Sequence, residues 1–248
     1  MIYEIEITLR TLRREGLGPL LKKISIYFRQ LICGVRFFFL RLPQNATPIE
    51  LVDFSFTAAG GLLATAQVRS EIIQLTKLIT ERRPKTIVEI GTAQGGTLFL
   101  WCRLSDPQAT IVSIDLPGGI HGGGYPYWKS WIYQRFPLAG QKLHLLRGDS
   151  HKAEMLAKLK NILPGDGKTD FLFIDGDHTY QGVKADFEMY APLVRPGGLV
   201  VFHDICKHAE AMDCHVDRFW QEIKNERQTR EFVDNRDQGT CGIGVIEL

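Results

Sequence analysis

The stretch Val88-Glu89-Ile90-Gly91-Thr92-Ala93-Gln94-Gly95-Gly96-Thr97 is where the chain first declares its fold. A short apolar run stops on a glycine, turns through a few polar residues and enters a segment with helical spacing. That is the pattern of a strand feeding a helix. Glycine lets the backbone turn sharply and come close to a ligand. The spacing is G-x-x-x-G, not the G-x-G-x-x-G that seats a pyrophosphate on a helix N-terminus. Glu89, just ahead of the turn, suits a cofactor with cationic groups better than one with phosphates. Gly91, Gln94 and Gly95 are the loop positions expected to approach it.

The same alternation continues outward. Apolar runs over residues 86–91, 110–116, 142–148, 170–175 and 199–202 alternate with helical stretches over 96–104, 127–136, 151–163 and 180–193. An amphipathic helix over 68–82 precedes them. A further helix over 216–224 leads into two strand-like runs, 229–233 and 242–248, joined by the turn-rich residues 234–239. Alternation of this kind predicts an α/β, Rossmann-like doubly wound fold with helices on both faces of a mostly parallel sheet. Seven strands are expected, the last two forming an antiparallel hairpin.

Of the 248 residues, 44% are hydrophobic and 23% charged, ordinary globular usage for one main domain with an extension. Residues 1–42 hold eight Lys/Arg against three acids, a net of +5, whereas the remainder holds 22 against 25, a net of −3. The expected division is a basic apolar arm over 1–47 and a catalytic domain over 48–248. Within residues 24–42, Phe37, Phe38 and Phe39 stand among Arg29, Arg36 and Arg41. Three arginines at roughly 2.5–3.5 kcal/mol each near the bilayer centre oppose a spanning helix. Two fates stay open for the arm: peripheral contact with an anionic membrane surface, or packing on its own domain or a second subunit of a homo-oligomer. A net charge of +2 gives no global field for nucleic acid. The five scattered cysteines lack a C-x-x-C pair and read as reduced thiols of a cytoplasmic protein. Glu4 and Glu6 interrupt the start where a secretory signal would stand.

In open parallel sheets the ligand sits beyond the carboxyl ends of the strands. The second run ends at Asp115, whose carboxylate can accept from both hydroxyls of a ribose. The third ends Arg147-Gly148-Asp149-Ser150, where Asp149 and Ser150 can read an adenine edge.

With its terminal hairpin this arrangement resembles the class I S-adenosylmethionine-dependent methyltransferases. From residue 50 to the C-terminus the chain is also similar to the metal-dependent O-methyltransferase group that includes macrocin-type sugar O-methyltransferases and cephalosporin hydroxylase-like proteins. The matching stretches are Gln67-Val68-Arg69-Ser70-Glu71, Val112-Ser113-Ile114-Asp115-Leu116-Pro117-Gly118-Gly119, Gly148-Asp149-Ser150-His151, Phe173-Ile174-Asp175-Gly176-Asp177-His178-Thr179-Tyr180, and Pro196-Gly197-Gly198 leading to His203-Asp204. The resemblance implies methyl transfer from S-adenosylmethionine to a hydroxyl of a small molecule, with a sugar as the expected acceptor.

The fourth and fifth strands are neighbours in such a sheet, about 4.8 Å apart, so Asp175 and Asp204 can converge. Two close carboxylates repel unless a proton or cation is shared. Oxygen donors favour Mg²⁺. His203 beside Asp204 departs from the commonest acidic choice, leaves the third ligand open and admits Mn²⁺. His178 follows Asp175 by three residues and is the candidate general base, a role the resemblance also implies; otherwise it caps the next helix or packs on Tyr180. Asp177 reads as a cap.

The cluster His203, Cys206, His208, Cys214 and His215 matches no usual structural zinc spacing. The glycine-rich residues 117–124, followed by Tyr125, Tyr127, Trp128 and Trp131, read as a hinged, aromatic-lined cover over substrate. Gln67, Arg69 and Glu71 are candidates for the opposite wall. The alternatives are a nicotinamide-dependent oxidoreductase, disfavoured by the glycine spacing, and a non-catalytic membrane-attached binding module, which would not need the two carboxylates.

Overall fold

The computed structural model describes residues 17–43, 45–118 and 124–248. Seven strands form one sheet: β1 (Thr86–Ile90), β2 (Thr110–Asp115), β3 (Lys142–Arg147), β4 (Thr169–Ile174), β5 (Val194–His203), β6 (Gln228–Phe232) and β7 (Ile243–Glu247). Their order is β3-β2-β1-β4-β5-β7-β6. The first five pair in parallel, and β7 lies antiparallel between β5 and β6. The expected fold class is therefore the observed one. β1 and β2 are buried at every position, because helices cover both faces of the sheet.

The helices are α1 (Leu17–Phe39), α2 (Pro48–Gly61), α3 (Arg69–Arg82), α4 (Gly96–Leu104), α5 (Ser130–Tyr133), α6 (Ala153–Ile162), α7 (Tyr180–Tyr190) and α8 (Val216–Ile223). One core packs α2, α3 and α4 on the sheet through residues such as Val52, Ile72, Phe99 and Trp101. The other packs α6, α7 and α8 through Leu159, Val183 and Trp220. α2 opens with a reciprocal cap in which Thr47 and Glu50 satisfy each other's backbone N–H groups, with Pro48 in the first turn. The single helix expected over 127–136 is instead a 3₁₀ turn, Tyr127–Lys129, followed by the one-turn α5.

α1 meets the domain through its C-terminal half. Phe37 is fully buried against Phe54 and Phe136, a burial that contributes about 1.5–3 kcal/mol. Arg135 donates to the Phe37 carbonyl at 3.1 Å and also to that of Phe38, so a cation closes the helix end. The opposite face carries Leu17, Leu21, Ile24, Phe28, Ile32, Val35 and Phe39, all exposed. Among the described residues no helix is long and apolar enough to cross a membrane. Residues 1–16 of the expected arm, and residues 119–123 of the expected cover, lie outside the described residues.

Candidate active site

At the carboxyl edge of the sheet, β1, β2, β4 and β5 end around a cavity of about 500 Å³, a size that suits a small molecule or cofactor. Gly91 stands just past the end of β1, against the end of β4: its φ is +88°, and a Cβ there would lie 1.9 Å from the Asp175 carbonyl oxygen. Gly91, Asp115, Asp149, Ser150, Asp175, His178, His203 and Asp204 all line this cavity. Eight of the eleven residues expected to form the site are thereby brought together.

Three are not. Glu89 points into the core under α4, where its carboxyl accepts from Trp101 Nε1 and Thr92 Oγ1, each at 2.8 Å. Burial pushes its pKa up to about 8, against the lowering effect of those hydrogen bonds. Gln94 is exposed and accepts from Lys129 Nζ. Gly95 caps α4 with φ +86°, and a Cβ there would strike the Tyr133 ring at 2.5 Å, so it serves packing. The aromatic cover is corrected too. Tyr125 is buried against Tyr133 with Arg147 over its ring, and no Phe, Tyr or Trp side chain lines the cavity among the described residues.

Asp115 is 4% exposed and braces the rim: Oδ1 accepts from the N–H of Thr92 at 2.9 Å and of Ala93 at 3.3 Å, and Oδ2 from the N–H of Tyr125 at 3.0 Å. Asp149 accepts from the His151 N–H at 2.9 Å.

The two carboxylates at the ends of β4 and β5 do converge, with histidines between them. His203 Nδ1 is 3.1 Å from Asp175 Oδ1 and 3.3 Å from Asp204 Oδ1. His178 Nδ1 is 2.8 Å from Asp204 Oδ2, and its Nε2 is 3.6 Å from Asp175 Oδ1. Burial opposes the charge on His178, but the Asp204 hydrogen bond, a contact with Cys214 and the Asp175 charge prevail and raise its pKa to about 10. Burial likewise opposes ionisation of Asp204, yet the charge on His203 and hydrogen bonds from His178, His203 and His208 hold its pKa well below the usual range. Gln67 Nε2 donates to Asp175 Oδ2 at 2.9 Å, placing that expected wall residue against the cluster. Arg69 instead pairs with Asp53 at the surface. Glu71 accepts from the N–H groups of Asp234 and Gly242 and from Gln238 Nε2, clamping the β6–β7 loop.

Sequence reasoning set aside His208, whose Nε2 is 3.1 Å from Asp204 Oδ1, and Cys214 along with the zinc-like cluster, and it missed Thr240 and Cys241; all four line the cavity. The signal for Cys241 lay in the hairpin, since an antiparallel β7 beside β5 carries its first residues to the carboxyl edge.

Two features test the fit of a metal and of S-adenosylmethionine. Five aspartates line the cavity and, among the described residues, no lysine or arginine does. A sulfonium and an ammonium group suit such walls, whereas a pyrophosphate does not. The carboxylates and imidazoles are a metal-ligating set, and the buried His203 Nε2 has no hydrogen-bond partner.

The strand order, the reversed hairpin and a cavity at the strand ends make up a Rossmann-like α/β fold with a ligand-sized site. Residues 88–205 match the family described as Methyltransferase domain. An uncharacterized protein of Sinorhizobium fredii is 31% identical over 62% of this chain and 17% of its own length. An uncharacterized protein of Acanthamoeba polyphaga mimivirus is 35% identical over 50% of this chain and 53% of its own. The chain thus spans about half of one curated relative and under a fifth of the other. Among solved structures, the fold is similar to an O-methyltransferase from Bacillus cereus in complex with SAH, at TM-score 0.54 and 19% identity over 89% of this chain and 100% of that one. It is also similar to the methyltransferase MycE of the mycinamycin biosynthetic pathway with Mg, SAH and mycinamycin VI, at TM-score 0.55 and 18% identity over 82% and 55%. The O-methyltransferase TomG from Streptomyces achromogenes with SAM gives 0.52 and 16% over 91% and 96%.

Proposed function

We propose that the protein transfers a methyl group from S-adenosylmethionine to a hydroxyl of a small molecule, with a divalent metal and His178 activating that hydroxyl. The observation that carries this reading is the cavity wall: five aspartates with no lysine or arginine among the described residues, at the strand ends of a methyltransferase fold. Asp115, Asp149 and Ser150 line the part of the cavity next to β1, β2 and β3 and are assigned the ribose and adenine contacts. Asp204 and His203, with Asp175 beside them, would hold the metal, and a cation there would supply Lewis acidity to a hydroxyl oxygen.

His178 takes the proton. Held by Asp204 and Asp175, it carries a proton of its own at neutral pH, and it becomes a base when those carboxylates are neutralised by another cation. Gln67 keeps Asp175 in place. The remaining requirement is alignment of oxygen, methyl carbon and sulfur, which the fixed strand ends provide. A sugar acceptor of the macrocin type is the substrate class assigned by resemblance, and MycE, solved with Mg, SAH and mycinamycin VI, is a fold neighbour.

We place the protein at the cytoplasmic face of an anionic membrane, held by α1. Its solvent-facing stripe recurs at helical spacing and includes Leu21 at 55%, Phe28 at 60% and Phe39 at 79% exposure. Lys22, Arg29 and Arg36 run along one flank, and α1 contains no acidic residue. The five cysteines are free thiols, as a reducing compartment requires.

The test is transfer of a radiolabelled methyl group from S-adenosylmethionine to a panel of sugars, glycosides and catechols, with and without a chelator. Label in a hydroxyl acceptor, lost on chelation and restored by a divalent ion, is the expected result. Labelling that ignores the chelator removes the metal from the reading.

A further inference from the structure

Asp204 belongs to two clusters that also contain cysteine. Ligand atoms of His203, Asp204 and Cys241 lie within 4.8 Å of one another, as do those of His178, Asp204 and Cys214. The first cluster is buried throughout. His203 ends β5 and pairs with Ile243 of β7, so Cys241, two residues before Ile243, arrives at the same sheet edge. Its N–H donates to Asp204 Oδ1 at 3.1 Å, and the neighbouring Gly242 N–H is held by the buried Glu71 carboxylate at 2.9 Å. The loop that carries the thiol is therefore tied to the core on both sides of it.

A second observation points to a ligand. His203 is only 3% exposed and lines the cavity, yet its Nε2 has no hydrogen-bond partner. Enclosing a polar ring atom without a partner is costly. The ring faces Asp175 and Asp204 through Nδ1, so the cluster has donor capacity that the protein alone leaves unused.

Resting on the reading of this cavity as a divalent-metal site, we propose that Cys241, in place of Asp175, is the third protein ligand beside His203 and Asp204, with Asp175 left to hold His203 Nδ1 at 3.1 Å, and that the site takes Zn²⁺ in preference to Mg²⁺. Mg²⁺ demands an octahedron of oxygens and gains little from sulfur, whereas a mixed imidazole, carboxylate and thiolate set suits Zn²⁺. On loading, the Cys241 S–H bond breaks, its proton leaves to solvent and the thiolate pair binds the metal. Three protein ligands leave a tetrahedral ion one open position, as in catalytic rather than structural zinc sites. His178 and Cys214 stand on the other side of Asp204, which leaves His178 outside the ligand set.

Anaerobic titration of the full chain with Co²⁺ as the Zn²⁺ surrogate reads the ligand set directly, because a thiolate ligand adds an intense near-ultraviolet charge-transfer band to the visible bands of the ion. The band is expected in the parent and in Cys214→Ser, and it should vanish in Cys241→Ser. Zn²⁺ affinity of Cys241→Ser should fall by more than the roughly 10–100-fold that loss of a merely supporting outer partner produces. Only Cys214 and Cys241 are thiols lining the cavity among the described residues, so a band that survives Cys214→Ser assigns Cys241 even where Cys241→Ser does not fold. Co²⁺ bound without the band, or a band lost in Cys214→Ser, overturns the inference while metal binding stands. Failure of Co²⁺, Zn²⁺, Mn²⁺ and Mg²⁺ alike to bind sinks the metal reading itself.

Discussion

His178 Nδ1 lies 2.8 Å from Asp204 Oδ2, so the candidate base and a candidate metal carboxylate share one hydrogen bond. Proton and cation therefore compete for the same carboxylate, and loss of the imidazole should be felt in chemistry before it is felt in binding. His178→Ala is expected to retain divalent-metal and S-adenosylmethionine affinity while slowing methyl transfer by about 10²–10⁴-fold. Single-turnover rates alongside metal titrations check this. If metal affinity falls as far as the rate does, His178 is a ligand.

Asp115→Ala should weaken cofactor binding by about 1.5–3 kcal/mol, the usual worth of hydrogen bonds to a charged group. The three backbone N–H groups that its carboxylate accepts add a second consequence. The glycine loop and the backbone at Tyr125 lose their common brace, so the variant should also melt earlier. Calorimetry with SAH and a thermal melt measure the two effects, and an unchanged dissociation constant removes Asp115 from the cofactor site.

Glu89 gives a pH signature independent of the metal cluster. Its folded pKa of about 8 stands above the ordinary 4.5, so the folded state binds an extra proton between those values. Its contribution to stability is full at acid pH and falls as pH rises from about 4.5 to about 8. Glu89→Gln can accept from Trp101 and donate to Thr92, and it should flatten that slope, making the variant more stable than the parent at pH 8. Parallel pH slopes for the two melting curves would contradict the buried neutral carboxyl.

Much of the fold was legible because the signals were local. The five parallel strands lie within a few residues of the apolar runs, apart from β5, which begins ahead of Pro196. α2 went unread because its caps are clear but its apolar positions follow no single face and it bends near Ala58. In the site, Asp115, Asp175 and Asp204 were legible as residues that close strands. Glu89 was misplaced because the side chain before a turn can face core or cavity, and only the packing of Trp101 decides which. Cys241 was invisible to spacing arguments: 37 residues separate it from Asp204, and β7 inserts between β5 and β6 to bring them together.

The exposed stripe on α1 predicts sedimentation with anionic vesicles and not with neutral ones. Leu21→Asp with Phe28→Asp should abolish it without loss of fold, since neither side chain is buried. Removing residues 1–42 is a poorer test, because it also takes away the buried Phe37. If the double variant leaves sedimentation unchanged but shifts the elution volume on gel filtration, the stripe covers a second subunit instead.

The central claim is that a cavity walled by aspartates at the ends of β1, β2, β4 and β5 receives S-adenosylmethionine. Isothermal titration of the purified chain with S-adenosylmethionine and, in parallel, with NAD tests it most directly. Saturable, one-to-one binding of S-adenosylmethionine with no heat from NAD is the result expected; binding of NAD without binding of S-adenosylmethionine would contradict the account.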